Sequence, residues 1–321
     1  MTWVVRSVVA AALVAVGWCA LTAWPAIIHG HPLYAVLLGL TVAIAVIVGA
    51  RALRPCSPHE NTPHQDASRT RPRARLRFAG RVVLAVLAVG WVGLMAWLRP
   101  FQALEPSLAA MESDAAVTVT ESATQLVLAP AGEAIGPGLV FQPGAKVEAR
   151  AYAPVLRPLA EAGTLVVVPK QPLGIAFLAT GAFEAARSAQ PQVTGWVVGG
   201  HSLGGTVAAI DADAHDTDPA APVVGLMLWA SYPASDLSRT LRSQVLSVSA
   251  TRDGLADPAT IKASRSDLPA GAAFTAIDGA SHASFGDYGP QPGDGTPSLS
   301  ADDARDQITR VSLEFLTGLP R

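Results

Sequence analysis

The sequence predicts an α/β domain, a mostly parallel sheet flanked by helices with no large cap, preceded by three transmembrane helices. Three observations predict it. Uncharged apolar stretches fill much of the first hundred residues. From about residue 116, short runs rich in β-formers alternate with helical runs. One strand-to-helix junction among them carries the pattern G-x-S-x-G.

The apolar stretches cover 8–28, 33–50 and 82–98 and contain no charged side chain. Crossing a bilayer core of about 30 Å takes roughly 17–25 helical residues. All three are long enough, the third only just, with Arg81 and Arg99 at its ends placed to snorkel. Trp3, Trp24, Trp91 and Trp97 are expected at the membrane interfaces. The first stretch is expected to be retained: no convincing A-x-A site follows it, and Trp18 before Cys19 spoils a lipoprotein site. Residues 51–81 hold eight arginines against Glu60 and Asp66 and are rich in Pro, Ser and His. They are expected to form a disordered basic loop between the second and third spans. Their charge is read as a positive-inside topology signal rather than a nucleic-acid patch. Residues 1–99 are thus expected to anchor the chain in a lipid bilayer, with 100–321 on the extracytoplasmic side.

The chain of 321 residues carries a formal charge of −2, which hides an asymmetry. Ten of 23 Lys and Arg lie before residue 100, but only two of 25 Asp and Glu do. The acidic remainder argues against nucleic acid as a partner, because phosphate binding needs a basic face. The two cysteines, Cys19 and Cys56, both precede residue 100, so no disulfide can form within the later part. Its length suffices for one single-core domain.

Strands are expected at 117–120, 125–128, 139–142, 164–168, 195–198, 223–229, 244–249 and 273–277, and helices at 151–162, 175–189, 203–214 and 301–316. Near-continuous apolar strands separated by helices imply a buried parallel sheet. The first two strands lie close enough to pair as an antiparallel hairpin. About a dozen residues separate Ser231 from Gln244, too few for a helical cap, so the site is expected to be shallow and open.

Gly200, Ser202 and Gly204 form the G-x-S-x-G pattern, entered by a strand and left by an Ala-rich helix. A nucleophile elbow needs small residues beside its serine because backbones approach closely there. The helix N-terminus favours developing negative charge. A serine hydroxyl needs a base. Residues 100–321 contain three histidines. His201 sits inside the elbow, where its side chain is expected to point away. His215 sits beyond the elbow helix, in the run Asp211-Ala212-Asp213-Ala214-His215, read as a solvated helix end rather than a metal loop. His282 follows the last strand, where the base belongs in the order Ser…Asp…His. A carboxylate to orient it should follow the strand at 244–249. Asp253 is preferred to Asp257, which is expected to cap a helix starting near Pro258. Backbone N–H donors for an oxyanion are expected from Leu203, after the serine, and from Ala145, in the loop after the third strand.

With these pieces in hand, the sequence resembles the small bacterial fold-5 type family of serine hydrolases within the α/β-hydrolase superfamily. The matching segments are 141–147 (F-Q-P-G-A-K-V), 199–205, Asp253-Gly254-Leu255 and 281–295 (S-H-A-S-F-G-D-Y-G-P-Q-P-G-D-G). The resemblance implies Ser202 as nucleophile, Asp253 as acid and His282 as base, with ester hydrolysis as the class of reaction. One departure is Ala145, where such proteins often carry a second glycine. A backbone donor survives that change unless φ must be positive.

The expected activity is hydrolysis of a carboxylic ester or thioester, of a small molecule or a lipid, through an acyl-enzyme and without a cofactor or a metal. A membrane-tethered acyltransferase would use the same residues and pass the acyl group to an alcohol. A non-catalytic binding module on the same fold is the third reading. Degenerate members typically lose a triad residue, and all three stand here.

Overall fold

The computed structural model describes residues 2–53 and 71–319. Internal contacts divide the chain into two units, Met1–Trp24 with Leu33–Arg99, and Pro25–Pro32 with Pro100–Arg321. Three long helices come first: α1 (Thr2–His29), α2 (Pro32–Leu53) and α3 (Arg71–Trp97). Each holds a segment long and apolar enough to cross a membrane: Trp3–His29, Pro32–Leu53 and Phe78–Trp97. In α1 the backbone leaves helical geometry at Ala23 (φ −147°), just before Pro25. A proline inside a helix donates no hydrogen bond and crowds the carbonyl one turn back.

The expected loop 51–81 is corrected at both ends. Helix α2 runs on to Leu53, and α3 starts at Arg71 rather than at 82. Arg, Ala and Leu are strong helix formers, and Pro72 lies in the first turn, where its missing N–H costs nothing. Helix propensity, not charged composition, decides here. The rest of that loop, 54–70 with Cys56, lies outside the described residues. Trp91, in mid-α3, also makes a contact to α2. Its Nε1–H donates to Thr41 Oγ1 at 2.9 Å. The Tyr34 hydroxyl likewise donates to the Met95 carbonyl at 2.7 Å. Both bonds tie α2 to α3, the kind of interhelical pairing that apolar surroundings favour.

The second unit is built on one eight-stranded sheet. Its strands are β1 (Val117–Glu121), β2 (Gln125–Pro130), β3 (Gly138–Gln142), β4 (Val166–Pro169), β5 (Trp196–His201), β6 (Val223–Trp229), β7 (Gln244–Ala250) and β8 (Ala273–Ile277). Their order is β1-β2-β4-β3-β5-β6-β7-β8. The β1–β2 and β2–β4 pairs are antiparallel and all others parallel. Five helices accompany them: α4 (Ala153–Glu161), α5 (Ala182–Ala189), α6 (Leu203–His215), α7 (Pro258–Ala263) and α8 (Ala301–Gly318). The helix expected over 175–189 is shorter. A 3-10 turn, Ala176–Leu178, comes first, and α5 begins only after Gly181, its N-cap.

The period-2 geometry of strands sorts side chains onto two faces. Leu139, Phe141, Val197, Met227 and Trp229 enter one core with α4 and α8 residues such as Leu156 and Ile308. Val140, Trp196, Val198, Leu226 and Leu228 enter a second core with Phe183, Ala208 and Ala212 of α5 and α6. This two-sided burial is why the central strands read as unbroken apolar runs.

Asp211 corrects the expectation of a solvated helix end. It is buried, its Oδ2 has no hydrogen-bond partner among the described residues, and burial together with the nearby Glu184 charge raises its pKa to about 7. A carboxyl whose folded pKa is raised stabilises the fold while protonated and loses that contribution as pH climbs from about 4 to about 7. Asp211→Asn should therefore stabilise the protein at pH 8 by on the order of 1–3 kcal/mol, with the gain vanishing near pH 4. Thermal unfolding at the two pH values reads this directly. An equal shift at both would show that the Asp211 charge is already accommodated.

Candidate active site

Ser202 stands between β5 and α6 with φ 52° and ψ −125°. A left-handed φ on a serine is strained and must be held by its surroundings. Its N–H donates to the Trp229 carbonyl at 2.9 Å, and the buried Ser231 hydroxyl donates to its carbonyl at 2.7 Å. A Cβ at Gly200 would strike the backbone of Gly204, and one at Gly204 would strike the carbonyls of Gln142 and Pro143. Gly200 is thus required by the elbow's own backbone and Gly204 by contact with the neighbouring loop.

That neighbouring loop carries the expected second donor. Strand β3 pairs with β5 so that Gln142 faces Gly200, and the chain beyond it runs alongside the start of α6. Ala145 does not need a left-handed backbone; the following residue, Lys146, takes it (φ 62°). An alanine therefore keeps its N–H available where a glycine is more usual. Among the described residues, no backbone carbonyl accepts from the N–H of Ala145 or of Leu203, the first residue of α6, and both residues are half-buried.

His282 opens a short 3-10 turn, His282–Phe285, whose ends are fixed by a reciprocal Ser281–Ser284 capping box. Its Nδ1 lies 2.8 Å from Asp253 Oδ2, with both residues buried. Asp253 Oδ1 accepts the N–H groups of Leu255 (2.8 Å) and Ala256 (2.7 Å). An ionised carboxylate only accepts, so Nδ1 carries the proton and Nε2 keeps its lone pair. Asp257 is exposed and accepts from the Ala259 N–H as the cap of α7. The structure thus joins Asp253, and not Asp257, to His282.

His201 does not point clear of the site. Its ring centroid is 4.4 Å from that of His282, and it is fully buried among Tyr152, Phe285 and Tyr288. The Gly144 N–H donates to the Tyr152 hydroxyl at 2.9 Å, and that hydroxyl meets His201 Nδ1 at 2.8 Å. Tyr152 accepts the first bond, and its hydroxyl links the Gly144 loop to the His201 ring. Burial, and then the charge of His282, hold His201 well below the ordinary histidine pKa, and it stays neutral. Strand parity was the available signal, because His201 shares a β5 face with Val197, which faces Phe141 and Trp229.

The structure thus joins His282 to Asp253 and sets Ser202 at the start of α6, beside the loop that follows β3. Residues 138–306 match the model of an alpha/beta hydrolase family. A comparison with curated proteins finds no match. Among solved structures, the chain is similar to an alpha/beta hydrolase enzyme from the metagenome of lagoon sediments at Mar Chica, Morocco. The identity is 14%, over 62% of this chain and 98% of that one, with a TM-score of 0.46. It is also similar to a thermophilic esterase from the Planctomycetes species Thermogutta terrifontis. There the identity is 15%, over 63% of this chain and 91% of that one, with a TM-score of 0.44.

The two aspartates give a direct contrast. Asp253→Asn should lower hydrolytic kcat by about 10³–10⁴-fold, because an amide favours the wrong imidazole tautomer. Asp257→Asn keeps a good helix cap and should leave kcat within about threefold. Steady-state kinetics on both variants, with circular dichroism as a folding control, checks the ranking; the reverse order would assign the imidazole to Asp257.

Proposed function

The chain belongs to the α/β-hydrolase family, and from that premise we propose that it is a serine hydrolase cleaving a carboxylic ester or thioester through an acyl-enzyme. The reading is supported by the buried 2.8 Å bond from His282 to Asp253, together with a serine held at left-handed φ between β5 and α6. Ser202 Oγ attacks the carbonyl carbon while His282 Nε2 takes its proton. The tetrahedral oxyanion is held by the Leu203 and Ala145 N–H groups, with the N-terminus of α6 adding its dipole. The intermediate collapses, and His282 returns the proton to the departing alcohol or thiol. Water then attacks the acyl-enzyme as His282 removes its proton, releasing the acid and restoring Ser202.

Exposed apolar side chains support an apolar acyl group. Leu255 follows Asp253 on the same loop. Tyr232 follows Ser231 and receives the Thr206 hydroxyl of α6 on its carbonyl. Phe177 and Leu178 lie on the turn that packs against α6. A buried methylene contributes about 0.8 kcal/mol, so even partial burial should raise kcat/KM at least about tenfold from acetyl to octanoyl p-nitrophenyl esters. Ser202→Ala should lose about 10⁴-fold or more in kcat across the series. A decline in kcat/KM with chain length would exclude a lipid-like substrate, and an active Ser202→Ala variant would exclude the serine mechanism.

We further propose that the hydrolase domain lies outside the cytoplasmic membrane. Eight arginines within 51–81 favour a cytoplasmic location for that segment, whereas residues 29–32 carry no fixed charge. The first two spans then return the chain inside, and the third delivers everything beyond Arg99 to the far side, where an envelope lipid ester is within reach. A cysteine placed at the exposed Ser298, in a Cys19→Ser, Cys56→Ser background, should react with a membrane-impermeant thiol reagent in cells whose outer barrier has been opened. Labelling that requires lysis of the inner membrane would reverse the topology.

A further inference from the structure

The loop after β7 and the loop after β8 meet beside His282, and one carboxylate joins them. Asp294 Oδ1 accepts the N–H groups of His282 (3.0 Å), Gly254 (3.1 Å) and Gly295 (2.7 Å). Its Oδ2 accepts the N–H of Ala283 at 2.8 Å. Four backbone donors on one carboxylate come close to filling its acceptor capacity. Two of them belong to His282 and the residue after it. A third belongs to the residue after Asp253. The loops are also pressed backbone to backbone. A Cβ at Gly254 would come within 2.6 Å of the Gly293 carbonyl oxygen, and one at Gly295 would collide with the carbonyl of Arg252. Burial pushes the Asp294 pKa up, but the Ala283 amide, the Ser281 side chain and the Gly254 and His282 amides outweigh it, and the net shift is downward. Asp294 therefore stays ionised near neutral pH, and bonds to an ionised acceptor are about twice as strong as neutral ones.

We infer that Asp294 is a positioning residue that sets the register between the Asp253 loop and the His282 loop, and so the alignment of the bond between those two side chains. This rests on the serine-hydrolase reading above. The carboxylate touches no reacting atom; it grips the main chain on both sides of the Asp253–His282 contact. Misplacing a catalytic group by about 1 Å can cost on the order of 10²-fold in rate, so a clamp at this point acts on turnover more than on substrate affinity. The glycines that flank Asp253 and Asp294 have the same explanation, since larger residues would force the loops apart.

The test is a double-mutant cycle in the full chain, solubilised in detergent, with a p-nitrophenyl ester. Asp294→Asn keeps the size and one oxygen but turns an amide NH₂ towards the Ala283 N–H. It should lower kcat about 10–100-fold with KM within about twofold of wild type. In an Asp253→Asn background there is no carboxylate left to align, and the same change should cost less than about threefold. Equal losses in both backgrounds, a change in KM alone, or full activity of a folded Asp294→Asn protein would each overturn the assignment. If Asp294→Asn does not fold, Asp294→Ser, which retains one acceptor oxygen, is read by the same criteria. Failure of both to fold would leave Asp294 a purely structural staple and overturn its positioning role. An Asp253→Asn protein as active as wild type marks a different failure, that of the serine-hydrolase reading itself.

Discussion

Where β5 gives way to α6, the backbones of three segments approach so closely that only hydrogen atoms fit between them. The Gly204 position abuts the carbonyls of Gln142 and Pro143, and Gly200 abuts Gly204 itself. Ser202 is forced to φ 52° in that turn and is retained there by bonds to Trp229 and Ser231. Apart from the contact of Gly200 with Gly204, these come from the strands adjacent to β5 or the residues just after them, β3 on one side and β6 on the other. The central position of β5 in the sheet is therefore a requirement of the site. The two faces of buried side chains that flank it supply the rigidity that the strained serine needs. The placement of Ala145 and Leu203 follows from the same crowding, since the β3 loop and the start of α6 are in contact at that point.

The two imidazoles of His201 and His282 lie 4.4 Å apart between ring centroids. Two positive charges at that separation would repel by about 4 kcal/mol at an effective dielectric of 20. The site resolves this by chemistry on each ring. His282 has a buried carboxylate on Nδ1, a partner suited to its charged form. His201 has a phenol on Nδ1 and no water-like surroundings, and it stays neutral. Neutral His201 fills the space behind His282 without opposing its protonation. Through Tyr152 it also reaches Gly144, so the loop bearing Ala145 and the ring packed against His282 share one hydrogen-bond chain.

Much of this was legible in the residues. The central strands could be located because their β-branched and apolar runs are buried on both faces, and Val223–Trp229 is read correctly to the residue. Asp253 could be separated from Asp257 because one follows a strand end and the other precedes a proline that starts a helix. The misses have physical causes. The start of α3 was hidden because arginine favours both solvent and helix, and composition alone weighs only the first. The break before α5 turns on Gly181, which a window average dilutes. Asp211 looks solvated among Asp213 and His215, and only packing against α5 shows it is buried. His201 was legible in principle from strand parity. Asp294 was not, because its role depends on two loops that meet only in the folded chain.

The central claim is that Ser202 is an activated nucleophile and His282 its base. The most direct measurement is the site and rate of phosphonylation. Wild-type protein and His282→Ala are treated with a fluorophosphonate, digested, and mapped by tandem mass spectrometry over time. The account predicts a single adduct on Ser202 in the wild type, with a rate at least about 10³-fold lower without His282. An adduct on another residue, or one on Ser202 that forms equally fast in His282→Ala, would contradict it.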